Sequence, residues 1–235
     1  MPGELWTCWL GTTGYREAHV LQERVREARA ADLLPYVLLL LEHPPVYTRT
    51  RRTEASELPM GEAWYAERGI EIVDTDRGGK LTYHGPGQLV GYPIMRIGHV
   101  LPFVRTLERA IVAALRDAGV EAHARDDEPA DFVGAWVQDR KIASIGIRVK
   151  QGVSKHGLAI NVVNDLAPFE WAVACGLPGV TMTSVEREAV ACRADPVGCL
   201  RKDLGHRLAE ELGLRQRLVS PARLLEALDN PSIAA

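Results

Sequence analysis

No two cysteines stand at C-x-x-C spacing. Cys8, Cys175, Cys192 and Cys199 lie far apart, which argues against a structural zinc site or a dense disulfide framework and leaves free thiols as the expectation. Long apolar runs are also missing. The longest, Val37 to Leu41, falls far short of the roughly 18 residues of a membrane span. The opening MPGELWTCWLG has no basic stretch followed by an apolar core. A soluble, cytoplasmic chain without membrane contact is therefore expected. Positive charge is not in excess: a net charge of −3 gives no global attraction for nucleic acid, and none is expected as a partner. Lysine itself is scarce, with five against 23 arginines, yet Lys80, Lys141, Lys150 and Lys155 fall within one stretch. Arginine would serve solvation equally well there, so the clustering hints at lysine-specific chemistry.

What remains is an ordinary globular composition, 46% hydrophobic and 25% charged over 235 residues. That is enough to bury one sizeable core, and a single domain over 1–235 is expected. No repeat, low-complexity tract or long linker divides it. Tyr15 to Arg29 places Ala18, Leu21, Val25 and Ala28 on one helical face, and Tyr36 to Leu41 reads as a buried strand stopped by His43-Pro44-Pro45. Pro102 to Ala118 predicts a helix ended by Gly119, and Asp195-Pro196 caps another that Gly213 ends. A short helix starts at Ser220-Pro221. Phe132 to Val137, Lys141 to Val149 and His156 to Val163 read as consecutive strands, the first two joined at Gln138-Asp139-Arg140. Strands clustered between helices predict an α+β domain.

Three segments carry chemical character. In Arg77 to Val90, five Gly or Pro residues allow close backbone approach to a ligand, while Arg77, Thr82, His84 and Gln88 supply polar groups. The same glycines equally suit a turn-rich connector, and neither phosphate-loop pattern is present. Lys141 opens the strand KIASIGIRV. Period-two alternation aligns it with Ala143, Ile145, Ile147 and Val149, so an inward face would desolvate it and suit it to proton transfer. Beside Arg140 at a turn, it fits a solvated side chain better still. Cys175, followed by Gly176 after an apolar run, has a nucleophile's setting near backbone N–H groups, although its neighbours more readily suit an inert core thiol. His156 shares a face with Leu158, Ile160 and Val162 and reads as a core histidine or a ligand contact, while His84 stands among glycine and proline. Neither histidine has an orienting partner visible in the sequence.

Taken in order, LEHPPVYT, DTDRGGKLTYHGPGQLVGYP, RKIASIGIRV, HGLAINV and ACGLPGVTMTSV resemble the lipoyl(octanoyl) transferases, the octanoyl-[acyl-carrier-protein]:protein N-octanoyltransferases, over about residues 10 to 187. The resemblance implies the biotin/lipoate protein ligase-like fold, a mixed and largely antiparallel sheet packed by helices. It further implies that Cys175 carries the acyl group as a thioester and that Lys141 lowers its pKa. Arg77, Gly78, Gly79, Lys80, Leu81, Thr82, Tyr83, His84, Ser144, Ile145, Gly146, Gly157, Leu158 and Ala159 are implied to line the acyl-substrate site. Thr50, Ala135 and Ala174 depart from the family's usual residues. The implied donor is octanoyl-acyl carrier protein. The implied acceptors are lipoyl domains of 2-oxo-acid dehydrogenase acyltransferase subunits and the glycine cleavage H protein, and a monomer is expected. An activated thioester donor needs no ATP, other cofactor or metal. Arg49, Arg51 and Arg52 offer three charges in a turn that suits docking of an acidic carrier or simple solvation. An ATP-dependent lipoate or biotin ligase, needing no cysteine nucleophile, is the alternative, and a non-catalytic module binding the lipoyl domain or the carrier is a second.

Overall fold

The computed structural model describes residues 3–172, 179–190, 194–230 and 232. Elements run in the order β1 (Glu4–Thr12), α1 (Tyr15–Ala30), β2 (Tyr36–Glu42), β3 (Val46–Arg49), α2 (Glu62–Glu67), β4 (Glu71–Asp74), β5 (Thr82–His84) and β6 (Gln88–Ile94). Then follow α3 (Val100–Asp117), β7 (Gly134–Val137), β8 (Arg140–Lys150), β9 (Val153–Asn161), β10 (Thr181–Met182), α4 (Val185–Glu188), α5 (Pro196–Glu211), β11 (Arg215–Val219) and α6 (Pro221–Asp229). Among the described residues, the larger sheet has the order β10-β8-β9-β6-β2-β1-β11, with β7 paired to β8, and a smaller sheet has the order β4-β3-β5.

The larger sheet is apolar on both faces, and its middle strand shows why. On β2, Leu38 and Leu40 enter the core under α3 and α5, while Val37, Leu39 and Leu41 enter the one under α1 and α6. A strand buried on both sides reads as one continuous apolar run, as seen in the sequence. The pairing is mixed: β2–β6, β6–β9, β8–β9 and β7–β8 are antiparallel, and β1–β2, β1–β11 and β8–β10 are parallel. Helices cover both faces, which makes the domain α+β as expected.

Helix boundaries follow capping chemistry. Asp195 Oδ1 accepts from the Gly198 N–H at 2.8 Å and Ser220 Oγ accepts from the Arg223 N–H at 3.1 Å, each followed by a proline that lacks a donor where none is needed. The α3 helix begins two residues before Pro102, which sits within the first turn where its missing N–H costs nothing. The β9 strand begins three residues earlier than its apolar pattern suggests. Gln151 and Gly152, at φ of 54° and 74°, form a tight hairpin turn that sets Lys150 opposite Val153. No described helix is long and apolar enough to cross a membrane.

Candidate active site

A cavity of about 220 Å³ opens where the loop 77–81 folds over the middle of β8 and β9. Its wall includes Arg77, Gly78, Gly79, Lys80, Leu81, Thr82, His84, Lys141, Ser144, Ile145, Gly146, Gly157, Leu158 and Ala159, joined by Tyr15, Arg52, Tyr92, Val104, Asp131, Ile147 and His156. Tyr83 is not in the wall. Strand alternation on β5 turns its ring into the cluster of Tyr47, Tyr65 and Phe169, where burial pushes its hydroxyl up to about 12. Cys175, with Ala174, falls on residues 173–178 and lies outside the described residues.

The loop reaches β8 main chain to main chain. The Gly78 N–H donates to Ile147 O at 3.1 Å, a Cβ on Gly146 would stand 2.6 Å from Gly78 O, and one on Gly78 would stand 2.9 Å from Ile147 O. Side chains at either position would force the layers apart. Arg77 holds the loop from behind, donating to Thr48 Oγ1, Thr48 O and Gly78 O at 2.9, 2.7 and 3.0 Å. Its fork therefore braces the wall. Thr50 adds an Oγ1 bond to Gly79 O at 2.9 Å.

Lys141 is 2% exposed, so the solvated reading of this residue does not hold. A bulge explains its placement. Ala143 stands opposite Ala135 but Lys141 stands opposite Trp136, leaving Ile142 as the extra residue. Such a bulge breaks the period-two count and re-aims the side chains beside it. The ammonium donates to Asp131 O at 3.3 Å and lies 5.2 Å from the centre of the Trp136 ring. No carboxylate lies within ion-pairing distance of it among the described residues. Gly134 makes room for its stem. At φ 140°, Gly134 would place a Cβ 3.1 Å from Lys141 Cε and 2.1 Å from Ala143 O. The buried Glu108 fixes that glycine by accepting from its N–H at 3.0 Å.

Both histidines have orienting partners in the fold, which the sequence reading does not supply. His84 Nδ1 lies 2.7 Å from Gln88 Oε1, and His156 Nε2 lies 2.9 Å from Asp76 Oδ1. Gln88 is four residues from His84, a spacing that the intervening turn at Gly85-Pro86-Gly87 brings into contact and that the sequence could have disclosed. Asp76 is eighty residues from His156, and nothing local announces that pair. Burial pulls His84 down to about 3 and His43 down to about 4, keeping both neutral.

Beneath the cavity, Asp76 also meets Lys155 Nζ at 3.0 Å. Hydrogen bonds from His156 and then Lys155 hold its carboxyl well below the usual range. His19, Asp76 and His156 bring ligand atoms within 4.8 Å of one another. The Lys155 ammonium already compensates that carboxylate, so the cluster does not suit a second cation. Of the three turn arginines, Arg49 is committed to Asp74 and Glu62. Arg52 lines the cavity and lies 3.6 Å from Asp131, while Arg51 is exposed and is not part of the wall.

Comparison with known proteins gives the family and the fold. Residues 14–197 match the family model described as lipoyl protein ligase A/B catalytic domain. An octanoyltransferase of Dictyoglomus thermophilum is 42% identical over 175 residues, covering 74% of each chain. An octanoyltransferase of Frankia casuarinae is 42% identical over 213 residues, covering 87% of this chain and 92% of the relative. A solved lipoate-protein ligase A bound with ATP superposes at a TM-score of 0.69, covering 98% of this chain and 93% of that one; at 17% identity this likeness speaks to the fold alone. The chain belongs to the octanoyltransferase family, built on the fold that it shares with lipoyl protein ligases.

Proposed function

We propose that this cavity is the acyl site of an octanoyl transfer running through a thioester on Cys175, with Lys141 as the proton-transfer group. As a member of its family the chain is an enzyme, an acyltransferase of protein lipoylation. One observation carries the assignment of roles: a buried lysine in a partly apolar cavity wall, with a carbonyl and an indole face as partners where a structural lysine would have carboxylates. Chain connectivity supports the thiol's part. Cys175 follows Ala172 by three positions, and Ala172 packs in one cluster with Leu81 of the cavity wall. Three residues span at most about 11 Å. On the other side, β10 runs beside Arg140 and Lys141.

In the reaction, the Cys175 thiolate, its proton held by Lys141, adds to the thioester carbonyl of octanoyl-acyl carrier protein. The carrier's phosphopantetheine sulfur leaves and takes that proton. The amine of a target lysine then adds to the Cys175 thioester, the C–S bond breaks, and a stable amide remains. The activated donor makes ATP unnecessary. Each buried CH₂ of the chain adds about 0.8 kcal/mol, so a slot of fixed depth selects length. The acceptors in this reading are lipoyl domains of 2-oxo-acid dehydrogenase acyltransferase subunits and the glycine cleavage H protein, served by a monomeric single-domain enzyme in the cytoplasm.

Intact-mass measurement after mixing with octanoyl-acyl carrier protein tests the scheme. Wild type should gain one octanoyl group that hydroxylamine removes, and Cys175→Ala should gain none. Lipoyl-domain modification that requires ATP and survives in Cys175→Ala would replace this reading with a ligase.

A further inference from the structure

Four rings meet at one end of the cavity. Tyr15 lies 5.3 Å from His43 and 6.2 Å from His84 between ring centres, His43 and His84 are 5.6 Å apart, and His43 and Tyr92 are 6.0 Å apart. Tyr15, His84 and Tyr92 line the cavity. Two hydrogen-bond chains arriving from behind fix where the protons on this knot reside.

The first chain starts at a carbonyl. His43 Nδ1 lies 2.6 Å from Thr13 O, and since a carbonyl only accepts, Nδ1 carries the hydrogen. Nε2 is then a bare lone pair and accepts the Tyr92 hydroxyl at 2.7 Å. The second chain also starts at a carbonyl. Asn161 Nδ2 donates to Thr183 O at 3.0 Å, which turns Asn161 Oδ1 toward Gln88 Nε2 at 2.9 Å. Gln88 Nε2 also donates to Tyr83 O at 3.3 Å, so its Oε1 faces His84 Nδ1. That nitrogen must carry the hydrogen, and Nε2 of His84 is a lone pair with no hydrogen-bond partner among the described residues. Burial keeps both imidazoles neutral.

This end of the cavity therefore presents acceptors without charge: His84 Nε2 and the remaining lone pairs of Tyr92 Oη. On these two atoms a carbonyl, carboxylate or phosphate would find no donor, and the Arg77 guanidinium nearby donates to Thr48 and to Gly78 O. A primary amine brings two or three N–H groups and is the complementary ligand. We infer that His84 Nε2 and Tyr92 Oη receive the amine of the target lysine and aim it at the acyl group, an assignment that rests on the acyl-transfer reading above. Proton balance is consistent with acceptors that do not titrate. The target enters as an ammonium and loses two protons in becoming an amide. One restores the proton shared by Cys175 and Lys141, and the other leaves to water. The ring knot holds N–H bonds throughout and takes no proton. The amide N–H groups of the donor's pantetheine arm are the other N–H source, and loading and transfer rates separate the two.

The test follows both half-reactions by intact mass, loading from octanoyl-acyl carrier protein and then single-turnover transfer to a lipoyl domain. It uses wild type, His84→Phe and Tyr92→Phe, with folding checked by thermal melts. Transfer should fall about 10²-fold and at least about tenfold further than loading. Hydroxylamine, which needs no seat, should strip the acyl group at the wild-type rate. Transfer by both variants at the wild-type rate, or loading that falls as far as transfer, overturns the inference. Gln88 is a positioning residue, read separately through the His84 imidazole ¹⁵N shifts. Wild type should show the Nδ1–H tautomer alone and Gln88→Met a mixture; an Nε2–H wild type also overturns the inference. Wild type that never loads octanoyl removes the acyl-transfer reading together with this one. Loading and transfer that survive His84→Phe and Tyr92→Phe intact remove only this one.

Discussion

Lys141 on β8 and Lys155 on β9 are 2% and 3% exposed, and their surroundings treat them in opposite ways. Lys155 is clamped between Glu23 and Asp76. Arg26 backs the same Glu23 from the other side at 2.8 Å. Although burial works against it, hydrogen bonds from Lys155 and Arg26 hold the Glu23 carboxyl down at about 2. Lys141, which lines the cavity, has a carbonyl and a ring face as its partners among the described residues. Lys80 and Lys150, the other members of the cluster in the sequence, reach Glu57 and Glu23 at 3.0 and 3.6 Å. Among the four clustered lysines, Lys80, Lys150 and Lys155 meet carboxylates, while Lys141 meets none among the described residues, as the proposed proton-transfer role requires.

The sharpest way to break this comparison is to remove each ammonium in turn. Lys141→Met should slow octanoyl loading about 10³-fold, measured by single-turnover intact mass, with the melting temperature changed little. Lys155→Met should do the reverse. It removes one partner each from Glu23 and Asp76, which keep Arg26 and His156, for a loss of about 1–2 kcal/mol in denaturant unfolding, with loading by the folded fraction within a few-fold of wild type. Equal loss of loading in both variants would erase the distinction.

A smaller effect tests the neutral rings against the charged network. His43 and His84 stay neutral in the fold but take up protons near pH 6.5 once the chain unfolds. The unfolded state is then the greater proton binder, so stability should begin falling below about pH 6.5, before ordinary carboxylates titrate, and continue to fall toward pH 4. A melting temperature flat between pH 7 and 5 would contradict the burial assigned to those rings.

The sequence discloses these features unevenly. Helix ends are legible because capping is local: Asp195-Pro196 and Ser220-Pro221 place their starts without reference to the rest of the fold. The buried run on β2 is legible because both its faces are covered. Lys141 is legible only through resemblance. Its local setting, a turn beside Arg140, points to solvent, and the bulge at Ile142 that buries it depends on register with β7. Tyr83 shows the converse. A contiguous motif suggests contiguous contact, but the strand it occupies turns alternate residues away. The polarity of the ring knot lies deeper still, since Thr13, Gln88, Asn161 and Thr183 are gathered from four separate segments.

The contact between Gly78 and Gly146 makes the cavity resemble a caliper whose jaws are peptide groups. Jaw spacing cannot be narrowed by trimming a side chain, because neither position has one, and any addition opens it. If the cavity holds the acyl chain as proposed, engineering a longer or shorter preference would work from its apolar side chains, among them Val104, Val133 and Leu158.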